Sequence, residues 1–179
     1  MTAQIPNAIT LLNLLCGAAV LVFASSGQWV WACGFIFLAA VFDFLDGLVA
    51  RLLGVHSSIG VQLDSLADMV SFGLAPAFLI FCHVLVLHTS FEVEEGLNGL
   101  SFFIWIELAL PFLIAVFAAI RLARFNIDSR QKEAFTGLPT PALALLFAAT
   151  LMLYHLGQPF YNSELFSRPL FWELAAAGF

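Results

Sequence analysis

Charge is scarce in this chain of 179 residues, of which only 10% are Asp, Glu, Lys or Arg while 62% are hydrophobic. That balance lies outside the usual range of soluble globular proteins. Apolar runs recur along the sequence, and a run of about 18 residues is enough to cross a hydrocarbon core about 30 Å thick. The composition therefore predicts an integral membrane protein and leaves no room for a separate soluble domain.

Basic residues are rarer still, since Lys and Arg number six against twelve Asp and Glu, for a net charge of -6. So few cations cannot neutralise many phosphates, which excludes nucleic-acid binding. The three cysteines are isolated and form no Cys-x-x-Cys pair, so no cysteine metal site is indicated. The first ten residues contain no basic residue, and we expect the first apolar stretch to be a retained helix and not a removable signal peptide.

The hydropathy pattern predicts one membrane domain, residues 1–179, folded as an all-α bundle of six transmembrane helices. Five complete spans are predicted at residues 9–25, 28–53, 60–88, 100–125 and 138–156. The last apolar stretch, 169–179, would be only about 16 Å long as a helix, so we expect the sixth span to be truncated. Pro76 and Pro111 are expected to bend or break the helices that contain them.

The distribution of basic residues predicts the orientation. With the N-terminus in the cytoplasm, five of the six basic residues fall on the inner side: Arg51, Arg121, Arg124, Arg130 and Lys132. Because Lys and Arg accumulate in cytoplasmic segments, this arrangement predicts a multi-pass protein of the cell membrane with these residues facing the cytoplasm.

Four aspartates interrupt the apolar background: Asp43 and Asp46 in the second predicted helix, and Asp64 and Asp68 in the third. A charged group at mid-membrane costs about 2.5–3.5 kcal/mol, so four carboxylates need bound cations. Offsets of three and four place each pair on one helix face, and the short connection makes the two helices antiparallel neighbours. An all-oxygen cluster favours Mg²⁺ or Mn²⁺ over zinc, and four charges suit two ions.

Small residues beside the acids indicate a ligand. Gly47 next to Asp46, and Gly60 one turn before Asp64, leave space near the backbone. Divalent ions beside such space fit a phosphate-bearing substrate, and one aspartate could take a proton from an attacking hydroxyl. The alternative from another class is a small cation or proton transporter, although nothing comparable continues towards the outer half of the chain.

The motif fixes eight residues: Asp43-x-x-Asp46-Gly47-x-x-Ala50-Arg51, then eight residues, then Gly60-x-x-x-Asp64-x-x-x-Asp68. It resembles the motif of the CDP-alcohol phosphotransferase family at every position. The resemblance implies a metal-dependent enzyme that displaces CMP from a CDP-linked lipid with an alcohol. It also implies that Asp68 is the general base, that the four aspartates bind metal, and that the CDP moiety contacts Thr10, Asp43, Asp46, Gly47, Ala50, Gly60 and Asp64.

Three further segments resemble the phosphatidylserine synthase branch of that family: IPNAITLLN, LDSLADMVSFGLAPA, and AAIRLARFN followed by FTGLPTPA. This likeness implies CDP-diacylglycerol and L-serine as substrates, and a homodimer. The closer alternative keeps the chemistry and changes the alcohol to glycerol 3-phosphate or inositol phosphate. Those acceptors carry a phosphate dianion and should need more cations than this chain offers.

Several polar residues have two interpretations. Arg51 could hold the motif or a phosphate, or anchor its helix at the membrane surface. Arg121 or Arg124, with Lys132 nearby, could bind the serine carboxylate or a lipid phosphate, since a guanidinium forms paired hydrogen bonds with either. The alternative for both arginines is that they only set the orientation. Thr10 could cap the first helix or contact the nucleotide.

Overall fold

The computed structural model describes residues 4–54, 57–91, 102–127 and 140–157. Within these ranges the chain contains helices and turns but no strand, which confirms the all-α prediction. A π-helical segment, Met69–Leu74, connects the third and fourth helices. The helices are α1 (Gln4–Ser25), α2 (Trp29–Leu53), α3 (Ser58–Asp68), α4 (Ala75–Phe91), α5 (Phe102–Ala109), α6 (Phe112–Ile127) and α7 (Thr140–Leu156).

Four helical stretches are long and apolar enough to cross a membrane: Gln4–Ser25, Trp29–Leu53, Ser58–Thr89 and Phe102–Arg124. The shortest has 22 residues and therefore extends about 33 Å, which matches the hydrocarbon core of a bilayer. Helix α7 is apolar but shorter, with 17 residues. These stretches support a multi-pass membrane protein, and the predicted sixth span at 169–179 lies outside the described residues.

The predicted start of the first helix was wrong. Helix α1 begins at Gln4 and not at residue 9, because Pro6 lies in the first turn, where its missing N–H costs no intrahelical hydrogen bond. The break expected at Pro111 is confirmed, since Leu110 and Pro111 form a turn between α5 and α6. The predicted span 100–125 is therefore two shorter helices.

The helix that carries Asp68 changes geometry directly after that residue. Met69–Leu74 forms π turns, and α4 begins at Ala75, one residue before Pro76. Pro76 cannot donate a hydrogen bond to the carbonyl four residues earlier, and a wider turn accommodates this gap without ending the helix. Gly73 lets α6 approach closely here, since an added Cβ would lie 3.1 Å from Cβ of Ala118. The irregularity expected around Pro76 is thus present as a widened turn.

The buried core lies where α1, α2, α4, α7 and the π segment meet, and it includes Val20, Ile36, Phe72, Leu79 and Ala148. Many other large apolar side chains lie on the outside of the bundle, among them Leu15, Val22, Leu66 and Phe117. Lipid tails are as apolar as these side chains, so burial against protein gives them no large advantage in a bilayer. This distribution is what a membrane-embedded bundle requires.

Gly17 sets the closest approach of α1 to the π segment. A Cβ added at this position would lie 2.6 Å from Oγ of Ser71 and 2.9 Å from its Cα, so the backbone would have to move. We expect Gly17→Ala to destabilise the protein by about 1–3 kcal/mol, measured as a lower melting temperature in detergent. Gly34→Ala is the control, since no described atom lies within 4 Å of a Cβ there. An equal loss in both variants would contradict this account.

Candidate active site

The motif residues lie on two consecutive helices with well-defined ends. Helix α2 ends at Leu53, and the next residue, Gly54, has a left-handed φ of 63° and donates its N–H to the carbonyls of Ala50 and Arg51. Before α3, the Ser57 Oγ accepts a hydrogen bond of 3.4 Å from the N–H of Gly60. The C-terminal turns of α2 and the first turns of α3 therefore come from one short stretch of chain.

Helix α1 forms the third wall of this region. It packs more extensively against α2 and α3 than these two helices pack against each other. On α2 the acidic side faces inward, because Asp46 is 6% exposed whereas Phe44 is 69% exposed. The carboxylates are thus directed into the bundle and not into lipid.

Three of the four aspartates meet. Asp43 of α2 and Asp64 and Asp68 of α3 each offer a carboxylate oxygen, and these three atoms lie within 4.8 Å of one another. Carboxylates this close repel each other unless a cation or a proton lies between them. A donor set made only of carboxylate oxygens is the type that Mg²⁺ and Mn²⁺ prefer. This acidic cluster could therefore hold a divalent metal ion.

Asp46 lies beside this cluster but is not one of its three members. Its Oδ2 is buried and has no hydrogen-bond partner among the described residues. An unpartnered carboxylate oxygen is costly inside a protein, so this atom also fits a site that binds a cation or a donor group. The structure therefore brings three of the four predicted carboxylates together and places the fourth beside them.

A cavity of about 140 Å³ opens next to Asp46 and Asp64. The small motif residues Gly47, Ala50 and Gly60 line this cavity, as does Thr10. Asp43 and Asp68 do not line it. Its walls are Pro6, Asn7 and Thr10 of α1, Asp46, Gly47 and Ala50 of α2, and Ser57, Gly60, Val61 and Asp64 at the start of α3. The predicted nucleotide contacts thus gather around one space, apart from Asp43.

The two glycines of this cavity differ. An added Cβ at Gly47 would meet no described atom within 4 Å, whereas at Gly60 it would lie 2.9 Å from Oδ1 of Asn7. Gly47 therefore leaves open space, as predicted. The space at Gly60 is occupied by α1, so that glycine permits helix packing and does not by itself leave room for a ligand.

Thr10 is not a helix cap. It lies inside α1, where its Oγ1 donates to the carbonyl of Pro6 at 3.1 Å. The capping interpretation was wrong because α1 starts six residues before Thr10. Thr10 also lies on the cavity wall, and the interpretation as a ligand contact stays a prediction.

Comparison with known proteins identifies the family of the chain. The sequence model of the CDP-alcohol phosphatidyltransferase family matches residues 3–178. The chain belongs to the CDP-alcohol phosphatidyltransferase family. No solved structure gives a significant match to the chain.

Individual members of the family are also similar. A CDP-diacylglycerol–serine O-phosphatidyltransferase of Helicobacter pylori J99 is 37% identical over 155 residues, which is 84% of this chain and 59% of that protein. An archaetidylserine synthase of Methanothermobacter thermautotrophicus is 34% identical over 148 residues, covering 81% and 56%. The chain therefore spans somewhat under two thirds of the length of these relatives.

Among the described residues, Arg51, Arg121 and Arg124 do not line the first cavity. Arg51 is exposed near the end of α2, with no ion pair to any described carboxylate. Arg124 is exposed near the end of α6, and Lys132 lies outside the described residues. Arg121 lines a second cavity of about 350 Å³ between the π segment, α6 and α7, with Phe72, Leu113, Ile114, Phe117, Ala118, Thr140 and Leu143.

Two polar contacts were not predicted from the sequence. Asn13 of α1 donates from Nδ2 to Oδ1 of Asp68 at 3.2 Å. Asn126 of α6 donates from Nδ2 to Oγ of Ser65 at 3.0 Å, which attaches the helix of Arg121 to α3. The only sequence signal was the presence of amide side chains in apolar helices, where an unpaired amide is costly.

Proposed function

We propose that this protein transfers a phosphatidyl group from CDP-diacylglycerol to L-serine and releases CMP. The observation that carries the proposal is the convergence of Asp43, Asp64 and Asp68 beside a cavity lined by the small residues of the motif. The names of the similar relatives support serine as the acceptor and a CDP-linked lipid as the donor.

The acidic cluster and Asp46 would hold two divalent ions, Mg²⁺ or Mn²⁺. Such ions supply neutralisation of the pyrophosphate charge and stabilisation of the leaving oxygen. Asp43, Asp64 and Asp68 are close enough to be ligands together, and the unpartnered Oδ2 of Asp46 is a further oxygen at the edge of the site.

The protein groups then have distinct tasks in the transfer. The serine hydroxyl oxygen forms a bond to the phosphorus that bears diacylglycerol, the bond from that phosphorus to the bridging oxygen breaks, and CMP leaves with that oxygen. Asp68 takes the proton of the hydroxyl as general base. Gly47, Ala50 and Thr10 contact the CDP moiety in the first cavity, which Asp46, Gly60 and Asp64 also line.

The basic side chains would bind the charged ends of the substrates. Arg121 is the best placed for the serine carboxylate or a lipid phosphate, because it lines a cavity next to the π segment that follows Asp68. Arg51, Arg124 and Lys132 would assist with phosphate. A guanidinium can form two parallel hydrogen bonds to either group.

We further propose a single domain of six spans, with 169–179 as part of the sixth, assembled as a homodimer in the cell membrane. The bias of Lys and Arg towards the side of Arg51 and Arg121 supports a site that faces the cytoplasm. At that level the site would open to the headgroups of the inner leaflet, where CDP-diacylglycerol presents its pyrophosphate.

The acceptor is tested by supplying the purified protein with CDP-diacylglycerol and one of three alcohols: L-serine, glycerol 3-phosphate or inositol phosphate. We expect phosphatidylserine to form at least about 100-fold faster than either other product, because a site built for one polar acceptor rejects others strongly. Mass spectrometry identifies the product. Preferential formation of phosphatidylglycerol phosphate would show that glycerol 3-phosphate, and not serine, is the acceptor. Ion flux without CMP release in proteoliposomes would favour a transporter.

A further inference from the structure

Among the described residues of α1, Asn13 donates a side-chain hydrogen bond to an aspartate of the acidic cluster. Its Nδ2 donates to Oδ1 of Asp68 at 3.2 Å, and the side chain is 0% exposed. Neither the motif nor the proposed substrate contacts include this residue. The contact nevertheless joins α1 to the proposed general base.

The backbone of Asn13 makes a separate contact with the π segment. The Oγ of Ser71 donates to the Asn13 carbonyl at 3.0 Å, and Ser71 is 0% exposed within the π segment. Gly17, one turn further along α1, permits this approach because a Cβ there would collide with Ser71. Asn13 thus has two separate contacts with the helix that carries Asp68, one through its backbone carbonyl and one through its side-chain amide.

Apart from its bond to Asp68, the side-chain amide of Asn13 lacks hydrogen-bond partners in the described part of the chain. Oδ1 of Asn13 is buried and has no hydrogen-bond partner among the described residues. A buried amide that makes only part of its possible hydrogen bonds is less favourable than an apolar side chain of similar shape. Packing of α1 alone would thus favour leucine here, so the bond to Asp68 needs another reason.

That reason lies in the geometry of a carboxylate. A donor on Oδ1 limits rotation of the carboxylate and leaves Oδ2 available for another group. The donor is neutral, so it does not cancel the negative charge as an arginine would. A fixed orientation matters because a displacement of about 1 Å at a reacting group can cost about 100-fold in rate.

We propose that Asn13 is a positioning residue that fixes the orientation of the Asp68 carboxylate for proton transfer and cation binding. This inference rests on the proposed function for its catalytic part. Removing a supporting hydrogen bond of this kind typically lowers metal affinity or activity about 10- to 100-fold.

The test compares Asn13→Leu with Ser71→Ala. Both remove a hydrogen bond between α1 and the helix of Asp68, but only Asn13→Leu removes the donor to Asp68. We expect Asn13→Leu to lower kcat about 10- to 100-fold with KM for serine and for CDP-diacylglycerol unchanged within about threefold, and with an unchanged or higher melting temperature. Ser71→Ala should lower the melting temperature and keep kcat within about threefold.

Manganese affinity provides a second measurement that needs no turnover. Titration of Mn²⁺ without substrate, followed by electron paramagnetic resonance, should show weaker binding in Asn13→Leu by about 10-fold and unchanged binding in Ser71→Ala. Asn13→Ala replaces Asn13→Leu if the larger side chain prevents folding. If wild-type protein forms no phosphatidylserine, the proposed function fails, while the Mn²⁺ comparison still tests the position of Asp68.

Three results would overturn the inference. The first is wild-type kcat and Mn²⁺ affinity in the Asn13 variants. The second is a loss of kcat in both Asn13→Leu and Ser71→Ala that follows their loss of stability. The third is a raised KM with unchanged kcat in Asn13→Leu, which would make Asn13 a substrate contact instead.

Discussion

Replacing Asp68 with asparagine is expected to lower the rate of CMP release from CDP-diacylglycerol by at least about 10³-fold. Asparagine has nearly the same shape, but in the proposed reaction it cannot accept the proton of the serine hydroxyl, and it supplies no anionic oxygen. The loss should therefore appear in kcat, while CDP-diacylglycerol still protects the variant against heat. Single-turnover CMP release at saturating serine, followed by chromatography, measures the effect.

The control for Asp68→Asn is Glu107→Gln, which removes a carboxylate from α5, a helix that packs mainly against α4. Glu107 lies 3.2 Å from His88 and its side chain is 55% exposed. Exposed ion pairs contribute only about 0–1 kcal/mol, so turnover should stay within about twofold. A folded Asp68→Asn variant with normal turnover would exclude Asp68 as the general base.

Removing divalent cations is expected to abolish turnover, again by at least about 10³-fold, and Mg²⁺ or Mn²⁺ should restore it. The reason is the close approach of the carboxylate oxygens of Asp43, Asp64 and Asp68. Carboxylates and a pyrophosphate are all negatively charged, so they repel each other unless a cation lies between them. Cation binding should also stabilise the fold by about 2.7 kcal/mol at 100 times the Kd. CMP release and melting temperature after chelation and metal return measure the two effects.

Asp43→Asn provides the matched variant for the metal experiment, and Glu107→Gln again provides the control. The melting temperature of Asp43→Asn should respond less to Mn²⁺ than that of wild type, because one of three clustered carboxylates is lost. Glu107→Gln should respond as wild type does. Full turnover after complete chelation, or equal Mn²⁺ responses in all three proteins, would show that the cluster does not bind a required ion.

The inward acidic face could be predicted from the sequence because helical periodicity is fixed. Residues four apart differ by about 40° around a helix, and residues three apart differ by about 60°. Asp64 and Asp68 therefore point closely together and meet Asp43. The wider angle between Asp43 and Asp46 is one reason that Asp46 lies outside the cluster of three, a separation that we did not predict.

The position of α1 could not be predicted in the same way. Spacing within one helix shows which residues share a face, but it does not show which other helix covers that face. Hence nothing in the sequence indicated that Asn7 would occupy the space at Gly60 or that Asn13 would reach Asp68. Arg121 was expected at the level of the site, but its direction towards a second cavity depends on how α6 packs against the π segment and α7.

The widened turn after Asp68 shifts the rotational phase of one continuous membrane helix. In an unbroken α-helix Asp64, Asp68, Phe72 and Leu79 would share a stripe about 80° wide. Asp64 and Asp68 instead meet Asp43, while Phe72 and Leu79 are each 1% exposed within the apolar core. A π turn contains about one more residue than an α turn, so the residues after Leu74 are rotated relative to the acidic stripe. A single span can therefore carry an acidic cluster at one end and an apolar packing face beyond it.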